Sequence, residues 1–526
     1  MTESVRFTGG RILTGTRTVD SLVVEAGRVV AAGTAEEAAR ASPVGTEVVR
    51  LDGRLVIPGL IDSHLHLGEL TRVREGVPVR EVRSIAELAE RLTRWAATHP
   101  HGPVGGGGWS VEQFVERREP TVSDLDRAVP DRPVVLYHAS GHAAVLNSVA
   151  LQQAGYSDRS HDPPGGRLGR DPKGGLSGLV YDTALAPVRR ITGAHPPDPA
   201  ALARTIRLES VLGVTTVASL NVDPEELDAI RAQLAVPRPA LRVRGYAREA
   251  RWGDFSPSDW APAGAPRDPS LVGVKTFVDG AFGPRTAWLE EPYADLPSES
   301  GIPVRRGSEL VEFLGRCAQE GRQPAVHAIG DRAVGEVLRA LDGLGGHRPV
   351  VPRIEHASLV PPGLLPLLDR VRPALVVQPG FVWSDDWLAE RLGPSRARWA
   401  YPFRTLTEHG HLLVGSSDAP YDPVDPWRGL AAATSRTAPE GGSANPTADE
   451  ALSPSQALDL YTRNAGRVFG EPDLGSLEAG ARADLVLLEA RDLAAAIRGG
   501  ASVVRETWVA GVRTFDRAGP GAPEMV

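Results

Sequence analysis

Cysteine is almost absent from this chain, and long apolar runs are missing. The 526 residues include one cysteine, Cys317, which cannot form an intramolecular disulfide and so argues against a disulfide-stabilised secreted fold. No run of about 18 apolar residues predicts a membrane span, and the first residues lack the apolar stretch of a signal peptide. We therefore expect a cytoplasmic protein in which Cys317 is a small core residue.

The chain also has little excess charge of either sign and very few lysines. The formal net charge is −8, and no lysine- and arginine-rich tract indicates binding to nucleic acid or to a membrane surface. Of the 58 basic residues only Lys173 and Lys275 are lysine, and all the others are arginine. Since arginine supplies almost every positive charge here, a remaining lysine is expected where the chemistry needs an amine.

The two ends of the chain are rich in short strand patterns. Residues 1–58 and 471–526 alternate apolar residues between glycine and aspartate turns, as in "SLVVEAGRVV" and "ADLVLLEA". Neither end would cover its apolar face alone, so we expect the two ends to pair into one composite β domain.

The middle of the chain, residues 59–470, alternates strand patterns with helix patterns, which predicts a (β/α)8 TIM barrel. A helix is predicted over 223–235, where an aspartate cap precedes a proline. Residues from about 68 to 205 interrupt the alternation and predict a large insertion after the first barrel strand, over the mouth of the barrel. The predicted barrel strands cover 60–66, 214–219, 241–247, 272–279, 324–328, 353–357, 374–378 and 412–418.

Two histidines lie one residue apart at the end of the first of these strands, in "LVIPGLIDSHLHL". His64 and His66 would emerge on the same face of the strand, because side chains alternate with period two. In a chain with only 13 histidines, such a pair is half of a metal site. Barrel enzymes place reactive groups at the carboxyl ends of strands, so we expect convergence on zinc, or less readily on manganese or iron. Four other predicted strand ends also carry ligand-type groups, namely Lys275, His327, His356 and Asp418.

Lys275 is the unusual member of this set, because a protonated amine is repelled by a metal cation. If the amine adds carbon dioxide, the resulting carbamate is an anion with two oxygens that can bridge two metals. Arginine cannot react in this way, which would account for a lysine at this position. Asp418 could bind the metal and also accept a proton from a water that the metal acidifies.

Each of these residues has a simpler explanation when it is considered alone. A single histidine at a strand end is more often structural, and a lone H-x-H pair occurs by chance. Lys275 could form an ion pair, and Asp418 could cap a turn. The joint pattern over five strands favours a metal site.

The segments "PGLIDSHLHL", "HAIGD", "RIEHA" and "GSSDAP" resemble the amidohydrolase superfamily of metal-dependent hydrolases. The segments "SGHAAVLNSVAL" and "GVKTFVDGAFGPRTAWLEEPYAD" resemble more narrowly its amidohydrolase family 3 branch, which includes N-substituted formamide deformylases. The resemblance runs from about residue 5 to 516. It implies the barrel, a composite β-sandwich made by both chain ends, and a centre with one or two metals.

The same resemblance implies how the ligands are shared between two metals. His64 and His66 would bind the more buried metal, and Lys275 would be the bridging carbamate. His327 and His356 would serve the second metal.

Five further residues are weaker candidates. His142 in "SGH" could polarise a substrate carbonyl, or it could be a surface loop residue. Trp109 and Arg285 could also contact the substrate, although packing of the insertion explains Trp109 equally well. Asp279 could orient Lys275 or cap a turn, and Asp331 could accept a hydrogen bond from His327.

We predict hydrolysis of a non-peptide C–N bond, in an amide or N-formyl group of a small molecule, by metal-activated water. Asp418, by the resemblance a ligand and general base, would take a proton from that water and pass it to the leaving amine. Three alternatives stay open: a deaminase of a cyclic amidine, an ester or lactone hydrolase on the same metal site, and a non-catalytic scaffold with a degenerate site.

The partners follow from the same interpretation. We expect a divalent metal, zinc first, with one or two ions per chain, and a small-molecule substrate. Nucleic acid and membrane are not expected as partners, and a homodimer is one expected assembly. No G-x-S-x-G elbow, phosphate loop or dinucleotide motif points to another chemistry.

Overall fold

The structure is a computed structural model, and it describes residues 4–192, 196–235, 240–261, 268–345, 350–438 and 447–519. Its strands are, in chain order, β1 (Ser4–Leu13), β2 (Thr18–Glu25), β3 (Arg28–Gly33), β4 (Glu47–Arg50), β5 (Leu55–Pro58), β6 (Leu60–Leu65), β7 (Val77–Pro78), β8 (Val104–Trp109), β9 (Val134–His138), β10 (Ala143–Leu146), β11 (Gly166–Arg170), β12 (Leu176–Asp182), β13 (Val214–Val222), β14 (Arg242–Arg248), β15 (Ser270–Phe277), β16 (Gln323–Ala328), β17 (Arg353–His356), β18 (Ala374–Val377), β19 (Leu412–Gly415), β20 (Leu485–Leu488), β21 (Val504–Val509) and β22 (Val512–Asp516).

Its α-helices are, in chain order, α1 (Ala35–Ala41), α2 (Leu67–Arg74), α3 (Ile85–Thr98), α4 (Val122–Ala128), α5 (Ser148–Gln153), α6 (Ala186–Thr192), α7 (Pro199–Val211), α8 (Pro224–Leu234), α9 (Gly307–Glu320), α10 (Asp331–Gly343), α11 (Leu365–Val371), α12 (Phe381–Ser384), α13 (Leu388–Leu392), α14 (Pro394–Ala397), α15 (Phe403–Glu408), α16 (Pro426–Ser435), α17 (Pro454–Leu460), α18 (Arg463–Val468) and α19 (Leu493–Gly499).

Eight parallel strands form the barrel, in the order β19-β18-β17-β16-β15-β14-β13-β6. Between β19 and β6 the hydrogen bonding continues just beyond the strand ends, where His66 N donates to Ala419 O and Asp418 N donates to His64 O, both at 2.8 Å. Strands of this sheet are buried on both faces, as β13 shows with every residue buried, which explains their continuous apolar sequence. The predicted eight-stranded parallel barrel is confirmed, with each strand within three residues of its predicted bounds.

The two chain ends form one sheet, in the order β22-β21-β20-β5-β1-β2-β3 with β4 pairing β1. The ends meet where β20 runs antiparallel to β5, with Leu488 opposite Leu55. On one face of this sheet Phe7 from the first end packs edge-on against Trp508 from the other, with ring centroids 5.1 Å apart. Each end therefore covers apolar surface of the other.

The predicted insertion after the first barrel strand contains a sheet of its own, in the order β11-β12-β10-β9-β8-β7. The glycine run of the sequence lies within β8. Apolar clusters on this sheet include Trp109 in one and Leu168 in another. Because the insertion has its own packed core, it can hold loops in fixed positions over the barrel mouth.

Cys317 is buried in α9 with no disulfide partner, as its expected role in the core requires. None of the helices in the described ranges combines the length and the apolar character that crossing a bilayer requires.

Candidate metal centre

Six side chains predicted as ligands face one open cavity of about 330 Å³ at the carboxyl end of the barrel. They come together because they sit at or just after the carboxyl ends of five different strands, all of which point to the same end of the barrel. The six are His64, His66, Lys275, His327, His356 and Asp418.

Three of them converge most closely. His64, His356 and Asp418 each offer one ligand atom, and these three atoms lie within 4.8 Å of one another. His64 Nε2 lies 3.2 Å and His66 Nε2 lies 3.3 Å from Asp418 Oδ1. His327 joins the group beside His356, with ring centroids 4.4 Å apart. The spacing is that of several ligands arranged around one or two small ions.

Two of the histidines are oriented by buried side chains. His64 Nδ1 donates to Glu355 Oε2 at 2.7 Å, and His356 Nδ1 donates to Gln378 Oε1 at 2.7 Å. With the proton held on Nδ1, the lone pair of each imidazole is on Nε2, the form in which histidine binds a metal.

The other two histidines are oriented by backbone carbonyls. His66 Nδ1 donates to Leu220 O at 3.2 Å, and His327 Nε2 donates to Gly280 O at 3.0 Å. His66 therefore presents Nε2, whereas His327 presents Nδ1 as its free nitrogen.

Several polar atoms of this cluster are buried without a partner. His64 Nε2, Lys275 Nζ and Asp418 Oδ1 have no hydrogen bond within the part of the chain that the structure describes. A buried polar atom without a partner is unfavourable by about 1–3 kcal/mol, so native structures rarely retain one unless a ligand completes it. Imidazole nitrogens and a carboxylate oxygen are ligands that a divalent cation such as zinc prefers. These residues fit a divalent metal.

Two of these residues adopt left-handed backbone conformations. The φ angle is 72° at His356 and 60° at Asp418, a region that residues other than glycine seldom occupy. Such strain is concentrated at functional sites, because the surrounding structure holds a side chain where the site needs it.

Burial sets the pKa values of the cluster. It lowers the pKa of His64, His327 and His356 well below the usual histidine value, so these rings stay neutral. Burial raises the pKa of the Asp418 carboxyl, although the nearby His66 and Lys275 act in the opposite direction.

Burial also lowers the pKa of Lys275 to about 8, against the charges of Glu355 and Asp418. Its Nζ lies 4.9 Å from the centroid of the Phe277 ring. About a tenth of this lysine is therefore an uncharged amine at pH 7.

The insertion supplies His142, which lines the cavity. Its Nδ1 donates to Asp182 Oδ1 at 2.7 Å, and its ring lies 4.6 Å from that of His327. Gly141 beside it has φ +70° and faces Tyr421, where an added Cβ would lie 2.2 Å from a ring carbon. This close approach of the insertion to the barrel loop fixes the position of His142.

The structure places the other two predicted substrate contacts outside the cavity. Trp109 is buried in the core of the insertion, where Nε1 donates to Leu136 O at 2.8 Å. Arg285 is partly exposed and pairs with Asp295 at 2.7 Å. Neither side chain lines the cavity, because each is held by a partner elsewhere.

Asp279 and Asp331, which were predicted to interact with Lys275 and His327, instead accept hydrogen bonds from the backbone of nearby loops. Asp279 accepts from the backbone N–H groups of Trp288, Ile329 and Gly330 at 2.8–3.0 Å, so it caps turns and does not bond to Lys275. Its Oδ1 lies 3.5 Å from His327 Nε2.

Asp331 accepts from the backbone N–H groups of Glu290 and Arg332, both at 3.0 Å. The hydrogen bond that His327 Nε2 makes goes to a backbone carbonyl and not to this carboxylate. Asp331 therefore ties the start of α10 to the loop after β15.

Sequence reasoning missed residues around the cavity and beneath it. Glu355 and Gln378 carried no signal of their own, although Glu355 directly precedes His356 in "RIEHA". The cavity is also lined by Arg189 and Asn221, which come from regions with no recognisable motif, and by Tyr421, which directly follows "GSSDAP".

Comparison with known proteins places this geometry in a family. The sequence model of the amidohydrolase family matches residues 47–515. The N-substituted formamide deformylase of Arthrobacter pascens is 27% identical over 96% of this chain and 97% of its own. The YtcJ protein of Bacillus subtilis (strain 168) is 32% identical over 84% of this chain and 85% of its own. The crystal structure of an uncharacterized metal-dependent hydrolase from Pyrococcus horikoshii OT3 superposes with a TM-score of 0.78 at 30% identity, covering 94% of this chain and 99% of its own.

Proposed function

The chain belongs to the amidohydrolase family, and from that membership we propose that it hydrolyses an amide or N-formyl group of a small molecule. The observation that carries the proposal is the set of unpaired, buried ligand atoms that converge at the barrel mouth. Similarity over 96% of the chain to a formamide deformylase supports the choice of the C–N bond.

We propose that zinc binds here, with one or two ions per chain. His64, His66 and Asp418 would hold one ion, and His327 and His356 would hold a second. A bound ion supplies a Lewis acid that lowers the pKa of water and stabilises negative charge on a carbonyl oxygen. The chain itself keeps the imidazoles neutral by burial, so they need not lose protons before they bind.

Lys275 would complete a two-ion centre as a carbamate. Its neutral amine attacks carbon dioxide, a C–N bond forms, and one proton leaves the nitrogen to give an anion with two oxygens. The lowered pKa of about 8 supports this step, since only the uncharged amine reacts. The absence of any hydrogen-bond partner for Nζ among the described residues leaves it free to do so.

Asp418 would act as the general base. Its carboxylate would take one proton from the attacking water as the oxygen bonds to the carbonyl carbon. It would then deliver that proton to the amine nitrogen as the C–N bond breaks. A carboxylic acid and an amine result. His142, with Nδ1 engaged by Asp182, would present Nε2 to the substrate.

The test begins with metal analysis of the purified protein. The protein is then depleted of metal, reconstituted with zinc, and screened with N-formyl amines, N-acyl amines and cyclic amides. We expect at least one zinc per chain and zinc-dependent release of an amine. Matched esters, lactones and cyclic amidines form the competing arm. Hydrolysis of esters alone, or release of ammonia from an amidine, would contradict the proposed bond.

A further inference from the structure

A second cluster of ligand-type side chains lies at the opposite end of the barrel. Asp369 is on α11, which leads into β18, and His409 and His411 follow α15, which leads into β19. Both segments precede their strands, so the cluster lies at the amino end of the barrel, away from the cavity. Residues of this cluster do not line that cavity.

The three side chains are close enough to share one ion. Each offers one ligand atom, and these atoms lie within 4.8 Å of one another. Asp369 Oδ2 lies 3.3 Å from His409 Nδ1, and Asp369 Oδ1 lies 3.1 Å from His411 Nε2. The two rings are parallel within 6°, with centroids 6.1 Å apart. Gly410 between them has φ +72°, a left-handed turn that keeps both imidazoles on one side.

A second observation points to a ligand. The His411 side chain is 0% exposed. Both of its ring nitrogens, and also Asp369 Oδ1, lack a hydrogen bond within the described ranges. The contact of 3.1 Å between Asp369 and His411 is therefore close but not aligned as a hydrogen bond. A buried imidazole with neither nitrogen satisfied is unfavourable unless something completes it.

We propose that Asp369, His409 and His411 bind one divalent transition-metal ion of the zinc class. Two imidazole nitrogens and one carboxylate oxygen suit such an ion, and the 39% exposure of His409 leaves room for water as a further ligand.

The ion would cross-link the turns before two adjacent barrel strands, so its role is structural. Arg372 already bridges the same turns, since its guanidinium donates to Asp369 O at 3.1 Å and to Gly410 O at 3.3 Å. The positive charge of Arg372 repels a metal cation, and this repulsion lowers the affinity of the site for the ion. The carboxylate of Asp369 offsets this repulsion.

The test counts zinc ions in the full-length protein at micromolar free zinc, by equilibrium dialysis and metal analysis. The variants are His409→Ala, at the exposed ligand, and Asp369→Asn, which keeps the shape and removes the charge. Loss of a side chain that only orients a ligand weakens metal binding by about 10–100-fold, so loss of a ligand should cost at least about 100-fold. We expect each variant to bind one zinc fewer than the wild type, and zinc to raise its Tm less.

The matched control is His161→Ala, an exposed histidine outside both clusters, which should keep the wild-type zinc count. The count does not depend on the proposed reaction, and the rate of amide hydrolysis at saturating zinc should stay within about twofold of wild type in His409→Ala. An unchanged zinc count in both variants would overturn the proposal. So would a wild-type protein that fills this position only at millimolar zinc, as any surface histidine pair does.

Discussion

The mouth of the barrel and the layer beneath it are equally buried, yet their polar atoms are paired very differently. At the mouth, His64 Nε2, Lys275 Nζ and Asp418 Oδ1 have no hydrogen-bond partner among the described residues. In the layer beneath, Arg353 donates to both oxygens of Glu355, at 2.8 and 2.9 Å. These two buried charges are therefore satisfied by the protein alone.

The lower layer extends across the barrel in the same way. The Arg353 guanidinium also donates to the Tyr246 hydroxyl at 2.6 Å, and that hydroxyl donates to Gln323 Oε1 at 2.5 Å. Arg244 donates to both oxygens of Glu471, at 2.7 and 2.8 Å. The chain can evidently pair buried charges in this barrel. The unpaired atoms above them converge on one cavity, which favours a ligand there, while the paired charges below keep that place rigid.

The largest effect is expected from Asp418→Asn, which tests the mouth. An amide cannot take the proton from water, so kcat should fall by about 10²–10⁴-fold. Steady-state kinetics on the amide identified by the screen would measure this. A fall in kcat of less than tenfold in a correctly folded, metal-loaded variant would contradict the assignment of Asp418 as the general base.

The next largest effect is expected for the buried Arg353–Glu355 pair, and it should change the free energy of unfolding. Arg353→Met leaves Glu355 buried without its partner, which should lower the free energy of unfolding by about 3–5 kcal/mol. Denaturant unfolding of the metal-free protein measures it. The matched control is Arg370→Met, which breaks an exposed pair with Asp342 and should lower the free energy of unfolding far less. Equal losses of unfolding free energy in both variants would contradict the inference that the buried Arg353–Glu355 pair stabilises the barrel more than an exposed pair does.

Glu355→Gln tests the link between the layers. The amide oxygen accepts more weakly from His64 Nδ1, so zinc affinity at the mouth should fall by about 10–100-fold. Competition with a chelator measures that affinity. Glu320→Gln, in an exposed pair with Arg316, is the control and should bind zinc as the wild type does.

The pH dependence of carbamate formation probes Lys275. Its amine is protonated below its pKa of about 8 and neutral above it, so the reactive fraction rises by about tenfold between pH 7 and pH 9. At a fixed concentration of dissolved carbon dioxide, protein depleted of metal and carbon dioxide should regain activity with zinc correspondingly faster at the higher pH. A recovery rate that does not change with pH, or that persists in Lys275→Ala, would argue against the carbamate.

The smallest effect is expected in the insertion. Trp109→Phe removes the hydrogen bond to Leu136 O and should lower the free energy of unfolding by about 1 kcal/mol, with KM unchanged. Thermal unfolding and KM are the two measurements. A tenfold change in KM would show that Trp109 influences the substrate after all.

The barrel could be predicted from local sequence because its strands are short apolar runs separated by amphipathic helices. The helix predicted over 223–235 spans Pro224–Leu234, although the Asp223 carboxylate accepts from Arg248 instead of capping the helix backbone. The interior of the insertion could not be predicted, because a glycine run carries no periodicity that reveals which face is covered. The predicted domain boundaries, and a sandwich built on the sheet of the two ends, stay predictions.

The six candidate ligands could be predicted because their position at strand ends is a property of the chain itself. Arg189 and Gln378 could not, since their relevance comes only from side-chain contacts across the fold. The spacing of two histidines does not by itself predict their structural context. His409 and His411 have the same spacing as His64 and His66 but lie in a turn. Only coordinates distinguish these two pairs.

The seam between β6 and β19 has a consequence for biosynthesis. Asp62 accepts from Ser417 N across this seam at 3.0 Å, and the two residues are 355 positions apart. The ligands nearest the seam therefore belong to the first and last barrel strands to leave the ribosome. Binding of a metal by all six candidate ligands has to wait until translation has passed Asp418, because a nascent chain that stalls before that residue carries only five of the six.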